Sequence, residues 1–290
     1  MALDPNTLSL TVWGARGSIP APGPHTLRYG GETTCLEVRA GPHHFLIDCG
    51  SGARQCGAAL AAEGVTQLDV VFTHTHMDHI CGLPFFCSAY DPNVPVSLWA
   101  GHISPPEGFK EIVERMMSPP IFPVATSALR NTEFRRFDAG REFTLASGLA
   151  IGSVPLNHPG NGCGYRITWA GSTIAVITDH EHGNEAMDDA IAEFVTGADL
   201  MIYDAMLLEE EYERYRGWGH STPQRALALA ARAGVATPMM FHHDPARSDD
   251  ALDTLAADVA RQQPGAQVAT QGATLHLTRG RLELGPRHAP

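Results

Sequence analysis

Residues 70–79 have the sequence VVFTHTHMDH, an apolar run that leads directly into three histidines and one aspartate. Alternate residues of an extended segment point the same way, so His74 and His76 can bind one metal ion. Asp78 and His79 lie at the turn into the next helix and can bind a second. Imidazole and carboxylate together suit zinc, and also iron or manganese. Four candidate ligands at this spacing therefore predict a metal site, against the alternative of a polar loop with incidental histidines.

Strands are predicted wherever a short apolar or β-branched run is bounded by Gly, Pro or Asp. These runs are 8–13, 35–38, 45–47, 68–72, 149–154, 164–169, 173–177, 200–203 and 238–241. Helices are predicted at 53–62, 79–90 and 249–262, and after Gly219, where Ser221 or Thr222 can cap the first turn. The mixture of strands and helices indicates an α/β or α+β protein with layered sheets. No domain boundary is visible, so we expect a single domain over residues 1–290.

A proline-rich segment, residues 102–136, interrupts this pattern. It surrounds a short helix-like stretch, 107–117. The segment is predicted to be a lid or insertion that forms a wall of the site. An ordered surface excursion is the alternative.

Charge and composition exclude some classes of function. The formal net charge is −12, which disfavours a long nucleic acid as partner, because phosphate binding needs clustered Lys and Arg. A small phosphorylated substrate remains compatible, since bound metal ions reverse the local sign of the field. The sequence has neither a signal-peptide pattern nor a run of transmembrane length, so no membrane partner is expected. The cysteines form no C-x-x-C pair, and a cytoplasmic location is predicted.

The motif H-x-H-x-D-H at 74–79 resembles the signature of the metallo-β-lactamase superfamily. The resemblance continues in order along the chain, through residues that match later family motifs: Asp48, His158, Asp179 and His242. It implies the four-layer αββα sandwich of that superfamily.

Carried over position by position, the resemblance implies two divalent metal ions, zinc first and manganese as the alternative. One ion would be held by His74, His76, His158 and Asp179, and the other by Asp78, His79, Asp179 and His242. His243 competes with His242 for the last position. His242 is favoured because it directly continues an apolar strand.

A second motif, WGHST at 218–222, resembles the G-H-S-T segment of ribonuclease Z and of related small phosphodiesterases. In that group the histidine is the general acid, which implies this role for His220. Asp204, in YDA at 203–205, resembles the acidic partner that orients it. A carboxylate would hold the proton on His220, and the helix that follows offers N–H groups to a phosphate through Ser221 and Thr222. A capping segment with an incidental histidine is the alternative.

The opening WGARGS at 13–18 with YGGETTC at 29–35 resembles the start of proteins grouped with the phosphoribosyl cyclic phosphodiesterases. Glu32 stands where that group has Asn. Arg16 could hold a phosphate beside Ser18, because a guanidinium fits two phosphate oxygens. A structural glycine-rich turn, in which Arg16 bonds backbone carbonyls, is the alternative. His180 and His182, just after Asp179, could line the substrate pocket or be solvated loop residues.

These motifs predict a dinuclear metal-dependent phosphodiesterase that hydrolyses a small cyclic nucleotide or cyclic phosphate. The resemblance implies attack by a metal-bound hydroxide, with Asp78, His220 and Asp204 as catalytic residues. The alternatives are a metallo-hydrolase acting on a lactone, thioester or amide, and a ribonuclease Z-like RNA phosphodiesterase. A non-enzymatic ligand-binding protein is a further alternative. The resembling families are often homodimers, so a homodimer is one expected assembly.

Overall fold

The computed structural model describes residues 4–103 and 108–288. Within these ranges the chain forms two sheets. The first has eight strands, in the spatial order Arg281–Leu284 (β15), Thr274–Thr278 (β14), Leu8–Gly14 (β1), Cys35–Ala40 (β2), His43–Ile47 (β3), Leu68–Phe72 (β4), Val96–Ala100 (β5) and Thr132–Arg136 (β6). The second has seven, in the order Gln267–Val268 (β13), Thr237–Phe241 (β12), Leu200–Asp204 (β11), Ser172–Ile177 (β10), Gly162–Trp169 (β9), Ala150–Leu156 (β8) and Phe143–Thr144 (β7).

Helices cover the outer faces of both sheets. The α-helices in the described ranges are Ala53–Glu63 (α1), Met77–Ile80 (α2), Phe109–Met116 (α3), Glu185–Phe194 (α4), Glu209–Tyr215 (α5), Pro223–Ala233 (α6) and Asp249–Gln262 (α7). Short 3-10 turns occupy Leu83–Phe85, Cys87–Tyr90 and Thr126–Ala128. In the described part of the chain, no helix combines the length and the apolar character that crossing a membrane requires.

Three buried apolar layers hold these elements together. The central layer lies between the sheets and joins side chains such as Phe45 on β3 to Tyr165 on β9. On one outer side, α1 and α3 pack on the first sheet. On the other, α4, α6 and α7 pack on the second. The predicted αββα sandwich of four layers is confirmed.

Each sheet contains a parallel group of strands. In the first sheet β3 to β6 run parallel, and in the second β10 to β13 do. Loops after parallel strands leave from one edge of a sheet, so residues distant in sequence meet there. This topology sets the position of the candidate site.

The helix predicted at 79–90 is wrong. The chain forms α2, of four residues, and then two 3-10 turns. Gly82 packs so closely on the backbone that a Cβ atom there would lie 1.9 Å from the Gly50 carbonyl oxygen. Pro84 follows, which has no N–H to continue a helix. The predicted helices at 53–62 and 249–262 correspond to α1 and α7, and Gly234 ends α6 with a positive φ of 64°.

Much of the proline-rich segment is built into the sandwich. α3 buries Phe109 and Val113 in the outer layer, and β6 pairs with β5 at the sheet edge. Between them, Ile121 is 72% exposed. Residues 104–107, at the start of the predicted helix-like stretch, lie outside the described ranges. The predicted lid role stays a prediction.

The two sheets are tied by Asp69, a fully buried carboxylate on β4. It accepts hydrogen bonds from Trp99 Nε1 at 2.7 Å and from the backbone N–H groups of Ala146 and Ser147, each at 3.0 Å. These last two residues lie in the turn between β7 and β8, so the carboxylate joins the first sheet to the second.

We expect Asp69→Asn to lower the free energy of unfolding by about 1–3 kcal/mol, because one amide position can no longer accept an N–H. Urea denaturation measures this loss. The exposed Asp138→Asn is the matched control and should change stability little. Equal midpoints for the two variants would contradict the assigned role.

Candidate active site

The predicted ligands gather where strands of both sheets end. His74 follows β4, Asp179 follows β10 and His242 follows β12, while Asp204 is the last residue of β11. Most of this group is buried, with His76 as the exposed member. The sheet topology therefore brings together side chains that are up to 168 positions apart, between His74 and His242.

One group of nitrogen ligands consists of His74, His76 and His158, each offering a ring nitrogen within 4.8 Å of the others. His76 Nδ1 and His158 Nε2 are 3.0 Å apart. Asp179 Oδ1 lies 3.9 Å from His74 Nε2 and 4.0 Å from His158 Nε2. This is the first ligand set that the resemblance implied.

The second group consists of four buried residues, Asp78, His79, Asp179 and His242. His79 Nε2 lies 3.3 Å from a carboxylate oxygen of Asp78 and 3.3 Å from one of Asp179. His242 Nε2 lies 3.2 Å and 3.1 Å from the same two carboxylates. Asp179 stands between the two groups, as expected for a bridging ligand.

The donor set fits divalent metal ions. His74 Nε2 is buried and has no hydrogen-bond partner among the residues described. Burial lowers the pKa of His74 well below its usual value, so its ring is neutral and carries a free lone pair. Burial alone would raise the pKa of Asp179, but the facing imidazoles, first that of His242, hold this pKa well below its usual range. Neutral imidazole and ionised carboxylate are the forms that bind metals.

Asp48 orients one of these ligands from behind. Its fully buried carboxylate accepts hydrogen bonds from the Thr73 N–H and hydroxyl, both at 2.7 Å. His79 Nδ1 donates to the same carboxylate at 2.7 Å, which leaves Nε2 facing the cluster. A carboxylate in this position fixes the tautomer of a metal-binding histidine.

Backbone strain is concentrated at this site. Asp48, Asp179 and His242 have φ values of 63°, 55° and 60°, in the left-handed region that residues other than glycine rarely adopt. Asp48 and His242 come directly after a strand, and Asp179 is the second residue after β10. The surrounding packing must hold these conformations, as is common at functional sites.

The structure distinguishes the two adjacent histidines at the end of β12. His242 belongs to the second ligand group. His243 belongs to neither ligand group, and its Nε2 donates to the Ala269 carbonyl at 2.8 Å. Burial lowers the pKa of His243 to about 3. The geometry therefore favours His242 as the ligand.

His220 and Asp204 form a pair beside the cluster. His220 Nδ1 donates to Asp204 Oδ2 at 2.8 Å, and the His220 ring stacks on that of His242 with centroids 5.0 Å apart. Burial lowers the pKa of His220, but Asp204 more than offsets this and the pKa is raised to about 9. His220 and Asp204 each offer an atom within 4.8 Å of ligand atoms on Asp179 and His242. A protonated imidazole thus lies next to the metal ligands.

The phosphate clamp predicted for Arg16 is corrected by the structure. The side chain is fully buried. Its Nε donates to the Gly30 carbonyl at 2.8 Å, and Nη1 donates to the carbonyls of Asp244 and Arg247 at 3.0 and 2.7 Å. The guanidinium bonds three backbone carbonyls in two segments, which is the structural alternative considered above.

The side chains of Ser221 and Thr222 are engaged within the protein, and the predicted contact of the helix N–H groups with a phosphate stays a prediction. Both are fully buried. The Ser221 hydroxyl is 2.8 Å from His182 Nδ1. The Thr222 hydroxyl donates to Glu209 at 2.7 Å and accepts from the Arg225 N–H as the cap of α6. These side chains shape the loop that carries His220.

His182 and Ser18 take different positions. His182 lines a cavity of about 160 Å³ next to α4 and α6, and no predicted metal ligand is among the described residues that line it. The expected contact of His182 with substrate at the metal centre is not favoured by this position. Ser18 is exposed at the edge of the site, and its backbone N–H donates to Asp78 at 2.7 Å. Its contact with a substrate stays a prediction.

Glu181 was not assigned a role from the sequence. It is a buried carboxylate two residues after Asp179, and it accepts the N–H groups of Gly217 and Gly219, just before His220. A single glutamate in a loop follows no recognisable spacing, so only the three-dimensional contacts identify it.

Comparison with known proteins gives matches to one superfamily. The profile described as "Beta-lactamase superfamily domain" matches residues 43–243. The ribonuclease Z of Mycobacterium bovis (strain BCG / Pasteur 1173P2) is 28% identical over 259 residues, which covers 82% of this chain and 87% of that protein.

Two solved structures are similar along nearly the whole chain. The metallo-β-lactamase fold protein YhfI from Bacillus subtilis superposes with a TM-score of 0.71 at 18% identity, covering 93% of this chain and 99% of that one. A diphosphatase from the PhnP family superposes with a TM-score of 0.67 at 21% identity, covering 96% and 98%. At these identities the two structures establish the fold alone.

We expect His242→Asn to lower the zinc affinity of one of the two metal positions by at least about 100-fold, because it removes a direct ligand and even outer partners contribute ~10–100-fold. Metal content after dialysis against a zinc buffer measures this change. The neighbouring His243→Asn is the matched control and should retain both ions. Equal zinc content in the two variants would contradict the assignment.

Proposed function

Because this chain belongs to the β-lactamase superfamily and is a metal-dependent hydrolase, we propose that it is a dinuclear phosphodiesterase that cleaves a small cyclic nucleotide or cyclic phosphate. The observation that carries this proposal is the His220–Asp204 pair next to the ligand cluster. A protonated imidazole beside the metals suits a reaction whose leaving group is a poorly stabilised alkoxide.

The metal positions follow from the two ligand groups. His74, His76, His158 and Asp179 would hold one ion, and Asp78, His79, Asp179 and His242 the other. Bound divalent ions supply Lewis acidity, which activates water near neutral pH and neutralises charge on a phosphate. The five imidazoles in this set favour zinc over the oxygen-preferring ions, with manganese as the alternative.

In this proposal His220 supplies the proton that the leaving oxygen needs. Its Nδ1–H is held by Asp204, so the remaining nitrogen, Nε2, is the one that donates. Asp204 raises the pKa of His220 to about 9, a direction that favours the protonated ring a general acid needs. Asp204 stays ionised and keeps the ring in one orientation, as the partner of a general acid should.

The rim of the site supports a small organic substrate. Ile19, Met77 and Trp218 are 60%, 58% and 61% exposed. Each lies within two residues of a site group: Ile19 follows Ser18, Met77 separates His76 from Asp78, and Trp218 precedes His220 by two positions. An exposed indole can stack on a nucleobase, and apolar neighbours can cover the uncharged part of an ester.

A ribonuclease Z-like reaction on RNA is the second candidate, favoured by the name of the Mycobacterium bovis relative. The charge of the chain counts against it. Arg16 is occupied by backbone carbonyls, and Arg216 pairs with Glu213 at 2.5 Å. With a net charge of −12, the chain has little to offer a long polyanion.

The proposal also includes a cellular location and an oligomeric state, and each has its own basis. All six cysteines are free, which agrees with a reducing cytoplasm. A homodimer is proposed only from the resemblance to families that form one.

We expect His220→Ala to slow hydrolysis of 2′,3′- or 3′,5′-cyclic nucleotides by about 10²–10⁴-fold, the usual contribution of a general acid. Hydrolysis of bis-p-nitrophenyl phosphate should fall much less, because p-nitrophenolate leaves without a proton. Zinc content should be unchanged. The exposed His25→Ala is the control for a histidine substitution away from the site.

The same assay separates the alternatives. Cyclic-nucleotide hydrolysis at the parent rate in His220→Ala would contradict the acid role. Turnover of a lactone by both proteins, with no phosphodiester hydrolysis, would instead support the reaction on a lactone, thioester or amide. Cleavage of a precursor transfer RNA without turnover of cyclic nucleotides would support the second candidate.

A further inference from the structure

Glu181 is a buried carboxylate whose partners are mainly backbone N–H groups. It is 8% exposed. Gly217 N donates to both of its oxygens, at 2.8 and 2.9 Å, and Gly219 N donates to Oε2 at 2.8 Å. The Tyr212 hydroxyl is 3.3 Å from Oε1. No arginine or lysine of the described ranges forms an ion pair with it. The N–H groups of Gly217 and Gly219 thus converge on one anion and form a nest, here filled by a side chain.

The nest belongs to the turn that leads into His220. Gly217 and Gly219 have φ values of 89° and 90°, which point their N–H groups toward the carboxylate. A Cβ atom on Gly219 would lie 2.1 Å from His158 Nδ1, so the turn also packs directly on a metal ligand. The position of this backbone therefore determines where the His220 side chain begins.

The same turn orients His158. His158 Nδ1 donates to the Gly219 carbonyl at 2.9 Å, which leaves Nε2 free to face the first ligand group. One peptide segment thus contacts Glu181 through its N–H groups and His158 through a carbonyl.

Glu181 is itself fixed to the ligand loops. It follows Asp179 by two residues, its N–H donates to the Asn157 carbonyl at 2.9 Å, and Asn157 Nδ2 donates back to the Glu181 carbonyl at 2.7 Å. Asn157 directly precedes His158. Glu181 therefore links three loops by hydrogen bonds and fixes their relative positions. These loops carry Asp179, His158 and His220.

We propose that Glu181 is a positioning residue that aligns the acid His220 with the metal ligands. This inference rests on the proposed phosphodiesterase function. Glu181 belongs to neither ligand group, and in this proposal it acts through the 217–219 backbone. Its effect should therefore appear in the step that needs the His220 proton, and not in a general loss of activity.

The test is Glu181→Gln, which keeps the size of the side chain but replaces one acceptor oxygen by an NH₂ group that faces an N–H. We expect kcat for a cyclic nucleotide to fall about 10–100-fold, the range seen when a supporting partner is lost. The KM, the zinc content and the rate with bis-p-nitrophenyl phosphate should change little. Glu213→Gln, on an exposed glutamate of the neighbouring helix α5, is the matched control.

A double variant decides whether Glu181 acts through His220. Glu181→Gln combined with His220→Ala should be no slower on the cyclic nucleotide than His220→Ala alone, because the acid is already absent. If the rate loss of the double variant were the product of the two single losses, the proposal would be overturned. Equal losses on both kinds of substrate, or loss of zinc, would also overturn it, since they indicate a structural role. Restoration of the cyclic-nucleotide rate by Glu181→Asp, relative to Glu181→Ala, would support it.

A second measurement does not depend on the reaction. In the zinc-loaded protein, the imidazole NMR signals of His220 should shift in Glu181→Gln and stay in place in Glu213→Gln. If the parent hydrolyses no phosphodiester, the proposed function fails, and the NMR comparison still decides the positioning role. Unchanged His220 signals would overturn it.

Discussion

The candidate site is organised around a buried cluster in which imidazole rings and carboxylates face one another. His76 Nδ1 and His158 Nε2 are 3.0 Å apart, and His79 Nε2 and His242 Nε2 are 3.4 Å apart. Carboxylates at the same place bring negative charge that also needs compensation. Bound metal ions would supply that compensation and would use the imidazole lone pairs. The sandwich brings strands of both sheets to this point, and Asp48 and the left-handed residues hold the ligands in place.

The sequence predicted the ligand motif because all of its parts lie within six positions at the end of a strand. The layered fold was predictable for a similar reason, since alternation of apolar strands and amphipathic helices is a local pattern. The prediction of a helix over 79–90 was wrong because the close approach of Gly82 to Gly50 is a contact between distant segments. Residue composition alone suggested a continuous helix there.

Residues on the substrate side were harder to predict for one physical reason. Arg16, Ser221 and Thr222 are residue types that bind phosphate, yet all three are fully buried and bonded within the protein. A sequence gives the functional groups that are present but not the direction in which they point. Glu181 is the converse case, because its contacts are with the backbone N–H groups of Gly217 and Gly219, which no spacing of side chains in the sequence indicates.

Met77 stands between two metal ligands while its own side chain is 58% exposed. Metal binding by His76 and Asp78 would fix the chain direction through 76–78, so the residue between them would be presented to solvent by a rigid frame. Its side chain can be exchanged without displacing either ligand. Selectivity toward the organic part of a substrate can therefore diverge within the most constrained part of the sequence while the catalytic apparatus is preserved.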